Sequence, residues 1–298
     1  MTNASSKGVL YAAAAYAAWG LFPLFFKQLG QVGAQEVVAH RTVWSLLFVL
    51  ALLLVKKHFS WMRAVLGQPK VLAAFALSAV LLATNWLIYV WAVQNDHVLD
   101  ASLGYFINPL VNVALGFAVL HERPRKLQWL AVGLAAAGVV WLTVQAGRLP
   151  WVALSLAFSF GFYGLLRKIA PLGALEGLTV ETLVLAPIAL GALAWWSLQG
   201  HSAFVSGDGF TLFMLLLSGP LTAITLLLFA SGARRIPMTT LGLLQYIAPT
   251  TQFVLGVWLY HEPFQPSRLV GFALIWAALA VYSLESLLRS RMTAAQPA

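Results

Sequence analysis

A stretch of twenty residues occurs twice in this chain, 140 positions apart. It runs from Leu103 to Glu122 and returns, without a gap, from Leu243 to Glu262. Leu103, Ile107, Pro109, Leu115, Gly116, His121 and Glu122 reappear as Leu243, Ile247, Pro249, Leu255, Gly256, His261 and Glu262. Two apolar segments can share a Leu or a Gly by chance. A shared mid-segment Pro and a shared terminal His-Glu pair are the mark of a duplicated unit, and a repeat constrains the fold before any element is assigned. At the same offset Glu36 meets Glu176 and Thr42 meets Thr182; with one residue of slip, Gly20 meets Gly161 and Lys27 meets Lys168. The two copies therefore span nearly the whole chain, and no loop is long enough for a separate soluble domain.

Each copy consists of apolar runs. The 298 residues are 61% hydrophobic and only 9% charged, against about 25% charged in a typical soluble domain. Such a chain cannot cover a water-facing surface, so it belongs in the lipid bilayer. A helix crossing about 30 Å of hydrocarbon needs roughly 20 apolar residues. Ten spans are predicted on that criterion: 9–26, 36–55, 71–93, 101–120 and 127–145, then 150–166, 178–198, 211–231, 239–260 and 267–288. The head Met1–Lys7 and the tail from Ser290 are predicted to be irregular. A cleaved leader is the alternative for the first run, but that run continues past any small-residue cleavage site to Phe26.

The formal charge of +9 does not indicate nucleic acid, because the Lys and Arg lie in short clusters between spans, as topology signals do. With the N-terminus cytoplasmic, fourteen of the 18 fall on the cytoplasmic side and three (Lys27, Arg148, Arg268) outside, with Arg41 inside a span. Both termini are then cytoplasmic. Five spans per copy is an odd number, so the second copy enters from the opposite side. The expected fold is an all-α membrane protein of ten transmembrane helices in two five-helix inverted repeats, 9–145 and 150–288, with a cytoplasmic tail at 289–298. Inverted repeats place a substrate site near the midplane and permit alternating access.

Ionisable and polar residues within spans are the candidates for chemistry. The second span opens with Glu36, His40 and Arg41; Glu36 and His40 share a face at i, i+4. Arg41 suits an anionic or zwitterionic group, and Glu36 and His40 suit proton relay. The structural alternative has Glu36 capping and Arg41 pairing inside the bundle, with Glu36 or with Glu181, which occupies the position equivalent to Arg41 in the second copy. Asn85, Trp86 and Tyr89 form a polar-aromatic stripe suited to an organic solute, or helix–helix glue. In the fourth span Tyr105, Asn108 and Asn112 share a face, and Pro109 frees the carbonyl of Tyr105. Gln245, Tyr246 and Gln252 occupy the repeat of that span, where Pro249 frees the carbonyl of Gln245. A freed carbonyl at membrane depth must face protein or a water-filled cavity, so Pro109 and Pro249 are hinge candidates in cavity walls. His121-Glu122 and His261-Glu262 fail the His-Glu-x-x-His zinc pattern and read as caps on the span that follows each, with a gating role as the alternative. There is no cysteine, and no metal or cofactor motif is found.

Together, ten spans, a five-plus-five inverted repeat, and a fourth-span Pro followed by a Glu in each half resemble the EamA-type drug/metabolite transporter superfamily. The stretches Glu36–Ser45, Thr84–Val93 and Leu103–Leu110 resemble its RarD branch. The resemblance implies a carrier of the bacterial inner membrane. It transfers no binding residue, and the chloramphenicol label common in that branch assigns no substrate. The expected function is secondary transport of a small organic metabolite or drug-like solute, outward, either uncoupled or coupled to protons through Glu36, His40 or Glu181, with no enzymatic activity. A membrane enzyme acting on a lipid, and a non-transporting scaffold or sensor, are the alternatives; the first lacks a clustered nucleophile or paired acids.

Overall fold

The computed structural model describes residues 3–95, 98–146, 151–259 and 266–294, and no strand occurs among them. The first half contains α1 (Asn3–Gly20), α2 (Phe22–Lys27), α3 (Ala34–Lys56), α4 (Ser60–Leu66), α5 (Pro69–Gln94), α6 (Val98–Ala118) and α7 (Lys126–Ala146). The second contains α8 (Trp151–Ile169), α9 (Ala174–Leu198), α10 (Ala203–Ser206), α11 (Gly209–Ala233), α12 (Met238–Gln245), α13 (Ile247–Val254), a π turn (Leu255–Leu259) and α14 (Pro266–Ala294).

Among the described residues seven segments are long and apolar enough to cross a membrane, and Leu103–Ala118 and Leu269–Tyr282 are shorter apolar helices. With the broken run α12–α13–π turn they make the ten spans. Large apolar side chains such as Leu54, Ile188, Trp195 and Phe213 point outward, as the lipid-facing side of a membrane bundle requires.

Three details differ from the sequence expectation. The first span is interrupted at Leu21, with Pro23 in the first turn of α2. A proline denies its N–H to the carbonyl four residues earlier, here Trp19, and that oxygen instead accepts from Gln252 Nε2 at 3.2 Å. The ninth span is broken at Tyr246, where Tyr246 N–H turns back to Leu243 O at 3.3 Å. Pro249 has no N–H to give to Gln245 O, and the ladder resumes with Thr250 N–H on Tyr246 O at 3.1 Å. By contrast, α6 keeps one helix through Pro109, because it is clamped along α8: a Cβ at Gly104 would press on Ala153 O at 2.8 Å, and Asn108 bonds Ala157 O. Third, both ends are more helical than expected, since α1 starts at Asn3 and α14 runs to Ala294.

The helix packing is symmetric under exchange of the halves. α8 packs on α5 and α6, as α1 packs on α11 and on α12 and α13. α9 packs on α5 as α3 packs on α11, and three self-related pairs, α3–α9, α6–α12 and α7–α14, hold the halves together. The two longest loops hold the short helices α4 and α10, and each is tied to the opposite half by a duplicated glutamate. Glu36 Oε1 accepts from Ser202 Oγ at 2.9 Å and Ala203 N at 2.8 Å. Glu176 Oε1 meets His58 Nε2 at 2.7 Å.

Candidate functional site

Arg41 lies on the face of α3 that turns towards α5 and α11, and is only 3% exposed. Its guanidinium sits 4.5 Å from the Trp86 ring centre, 4.9 Å from Phe26 and 5.9 Å from Phe22. Its Nε donates to Thr222 Oγ1 at 3.0 Å. Tyr89 and Tyr105, packed edge to face at 5.6 Å, lie within electrostatic reach. Among the described residues no carboxylate pairs with Arg41. Each cation–π contact contributes about 0.5–2 kcal/mol, whereas withdrawing an ion from water costs several kcal/mol even after relaxation. The cage therefore holds a cation that no described side chain neutralises.

The expected pairing of Arg41 with Glu36 or Glu181 is not found, because both acids point elsewhere. Glu36 is engaged by α10 and lies 3.8 Å from His40 Nε2. His40 stacks on Phe204 at 5.0 Å and accepts from Trp44 Nε1 at 3.1 Å, leaving Nε2 buried and without a hydrogen bond. Glu181, fully buried, turns to α5 and α8. It accepts a short hydrogen bond from Ser78 Oγ and pairs with Arg167 Nη1 at 3.8 Å.

Arg167 is the functional-looking residue that the sequence reading missed. It closes an apolar helix next to Lys168 and reads as a cytoplasmic topology charge, yet it is 1% exposed. Its guanidinium stands 5.6 Å from the Phe75 ring and donates to Ala174 O at 3.0 Å. The one-residue slip between the copies aligns it with Phe26, the cage residue beside Arg41; that alignment is the signal that could have found it.

The remaining candidates fall into separate places. Asn108, Asn112 and Gln245 form a buried ladder joining α6 to α12: Asn112 Nδ2 donates to Asn108 Oδ1 at 3.1 Å and to Gln245 Oε1 at 3.0 Å. Asn112 Oδ1 is buried without a partner. Asn85 bonds Leu156 O and Ser159 Oγ, both at 3.0 Å, which makes it an α5–α8 tie. Tyr246 is buried against Phe106, centroids 6.1 Å apart, with its hydroxyl unpartnered. Gln252 is held by Trp19 O.

Glu122 caps a helix, but not the expected one. Its carboxylate accepts from Met238 N at 2.9 Å and Thr239 N at 3.2 Å, at the start of α12 in the other half, with Lys168 Nζ 3.8 Å away. His261 and Glu262 lie outside the described residues. Among the described residues no three His, Asp or Glu side chains gather as a metal site would require.

Residues 6–144 and 150–284 each match the EamA-like transporter family. The chain is 47% identical to Protein RarD of Streptomyces exfoliatus, over 99% of this chain and 95% of that protein. It is 44% identical to an uncharacterized transporter of Bacillus subtilis, over 94% of each. It is 33% identical to the chloramphenicol-sensitive protein RarD of Pseudomonas aeruginosa, over 95% of each. A crystal structure of a protein 20% identical in sequence superposes with a TM-score of 0.68, covering 93% of this chain and 97% of that one, which shows the same fold.

Proposed function

Because this chain belongs to the EamA-like transporter family, we propose that it is a secondary carrier of a small organic anion with an aromatic or apolar body. It acts in the bacterial inner membrane, with both termini cytoplasmic and outward flux. The carrying observation is the Arg41 cage, a buried cation without a carboxylate partner whose walls come from both halves: Phe22, Phe26 and Trp86 from the first and Thr222 from the second. A solute anion completes the charge of the cage while its body stacks on the rings. Arg is the cation suited to this, since its flat guanidinium binds an anion through its edge while its face stays on an aromatic ring. The exchange-symmetric helix packing supports alternating access: an odd number of spans per half sets the copies upside down, so swapping their conformations moves the cage opening from one membrane face to the other.

The test is a comparison of culture media from cells lacking the protein, overproducing it, and overproducing Arg41→Met at equal membrane abundance. Wild type should raise one or a few organic anions outside; Arg41→Met should raise none. Flux of the identified anion is then measured in proteoliposomes in both directions. Wild-type export by Arg41→Met would remove the cage from the site, and uptake without export would reverse the direction.

A further inference from the structure

At one end of the bundle α5 and α8 enclose a cleft of about 230 Å³. Its mouth is at loop level, with Lys70 in the first turn of α5 and Pro171 just after α8. Its floor is Ser78, eight residues beyond Lys70 along α5, about 12 Å deeper at 1.5 Å per residue. The walls between are apolar, and Ser78 brings a hydroxyl to the bottom. That hydroxyl donates to Glu181 Oε1, so one side chain joins the cleft to the carboxylate.

The carboxylate is not arranged as a finished structural ion pair. Such pairs offset desolvation through short, saturated hydrogen bonds. Here Arg167 stands 3.8 Å off, and Glu181 Oε2, Arg167 Nε and Arg167 Nη1 are all buried without a hydrogen bond. The titratable groups facing Glu181 are Arg167 and Tyr163 of α8, the Tyr163 hydroxyl within hydrogen-bonding reach of the carboxylate, with Lys70 at the cleft mouth; α3 and α11, which also pack on α9, bring no charge to it. In a dry interior a carboxylate whose counter-ion stands off at 3.8 Å is neutralised most simply by one proton.

We propose that Glu181 is a proton-binding site, filled from the Lys70 side through the cleft and Ser78. Ser78 Oγ passes its proton to Oε1 and takes another from hydronium in the cleft, giving a neutral carboxylic acid and leaving water. Arg167 stays charged, keeps its bond to Ala174 O and its place against the Phe75 ring, and still faces the oxygens of the neutral acid, which truncation of Glu181 would remove. Because α9 packs against α3, the change is passed to the helix that carries Arg41. That last link rests on the carrier reading above; proton binding does not.

Infrared difference spectra of the full-length protein in nanodiscs, acidic minus alkaline buffer and without solute, test it. Wild type should show a protonated-carboxyl band that Glu181→Gln loses and that Ser78→Ala shifts, since the donor to Oε1 is gone. The chain has no cysteine, so Ala74→Cys carries a unique thiol in the cleft wall; a bulky maleimide there should slow the appearance of the band. Identical wild-type and Glu181→Gln spectra, in a variant that unfolds at the wild-type temperature, overturn the site. An unchanged rate after labelling overturns the route. A band in a protein that moves no solute would refute the carrier reading and leave this site standing; export without the band would do the reverse.

Discussion

Arg41 and Glu181 occupy the same place in the two copies, 140 residues apart, on helices that pack against each other. Their surroundings correspond: α11 supplies Thr222 to Arg41 as α5 supplies Ser78 to Glu181, and Phe26 and Arg167 are aligned neighbours. The charges do not correspond. Glu181 has a counter-ion from its own half, whereas Arg41 has aromatic rings and a hydroxyl. The backbone keeps a two-fold relation that the electrostatics break, and Arg41 is the buried charge of the two that has no counter-ion among the described residues.

The largest test of this contrast is paired truncation. Glu181→Ala leaves Arg167 as an uncompensated buried charge, which should cost about 3–5 kcal/mol of stability. A double variant, Glu181→Leu with Arg167→Met, should recover most of it. Arg41→Met strands no acid and should unfold near the wild-type temperature while losing transport. Thermal unfolding in detergent reads all three. A large loss from Arg41→Met would mean that the cage is a structural element like its counterpart.

Next in size is the tie between the halves at α12. Glu122→Ala removes the acceptor for two N-terminal N–H groups, worth about 1–2 kcal/mol by the usual cost of a lost cap. The loss should appear as faster hydrogen exchange across Met238–Gln245 and not in α7. Equal exchange in both helices would return Glu122 to the local role expected from its position before α7.

That misplacement marks the boundary of what the sequence disclosed. The ten spans were legible because hydropathy and length act locally, and nine of them lie within a few residues of expectation or differ only by a break at Leu21 or an extended end. The ninth was legible as a segment but not as α12, α13 and a π turn, because whether a proline breaks a helix depends on what clamps it: Pro109 and Pro249 are aligned, and only one interrupts its helix. The polar residues of the site were legible as a set, since charge and amide groups in apolar runs stand out. Their partners were not. Arg167 looked like a loop cation, and Asn85, Asn108 and Gln252 looked available for solute, although each reaches a backbone carbonyl on a distant helix.

Smaller effects separate the two loop ties. Glu36 is 7% exposed and holds α10 through a hydroxyl and a backbone N–H, whereas the His58–Glu176 contact is largely open to water. Ser202→Ala should cost about 1 kcal/mol, the typical net value of a hydrogen bond, and be insensitive to salt. His58→Gln should cost at most about 1 kcal/mol and, in buffer acidic enough to protonate His58, less as ionic strength rises. Salt titrations of unfolding temperature distinguish them, and matching salt slopes would show that the two ties are equally exposed in solution.

The smallest contrast lies at the starts of α5 and α11. Their N-cap positions, Gln68 and Asp208, are again 140 apart; Gln68 makes no side-chain cap bond, while Asp208 accepts from Thr211 N at 2.8 Å. That backbone hydrogen bond, and then the Thr211 side chain, hold the Asp208 carboxyl below the usual aspartate range. A group with a lowered folded-state pKa stabilises the fold above the unfolded value, and the contribution is lost as pH falls through the folded one. Asp208→Asn keeps an acceptor but cannot titrate, so the small acid-induced drop in unfolding temperature seen in wild type should flatten in this variant, and Asp208→Ala should begin at the lowered level. A wild-type acid slope unchanged in Asp208→Asn would assign acid sensitivity to other carboxylates and leave the two helix starts equivalent in effect, despite their different caps.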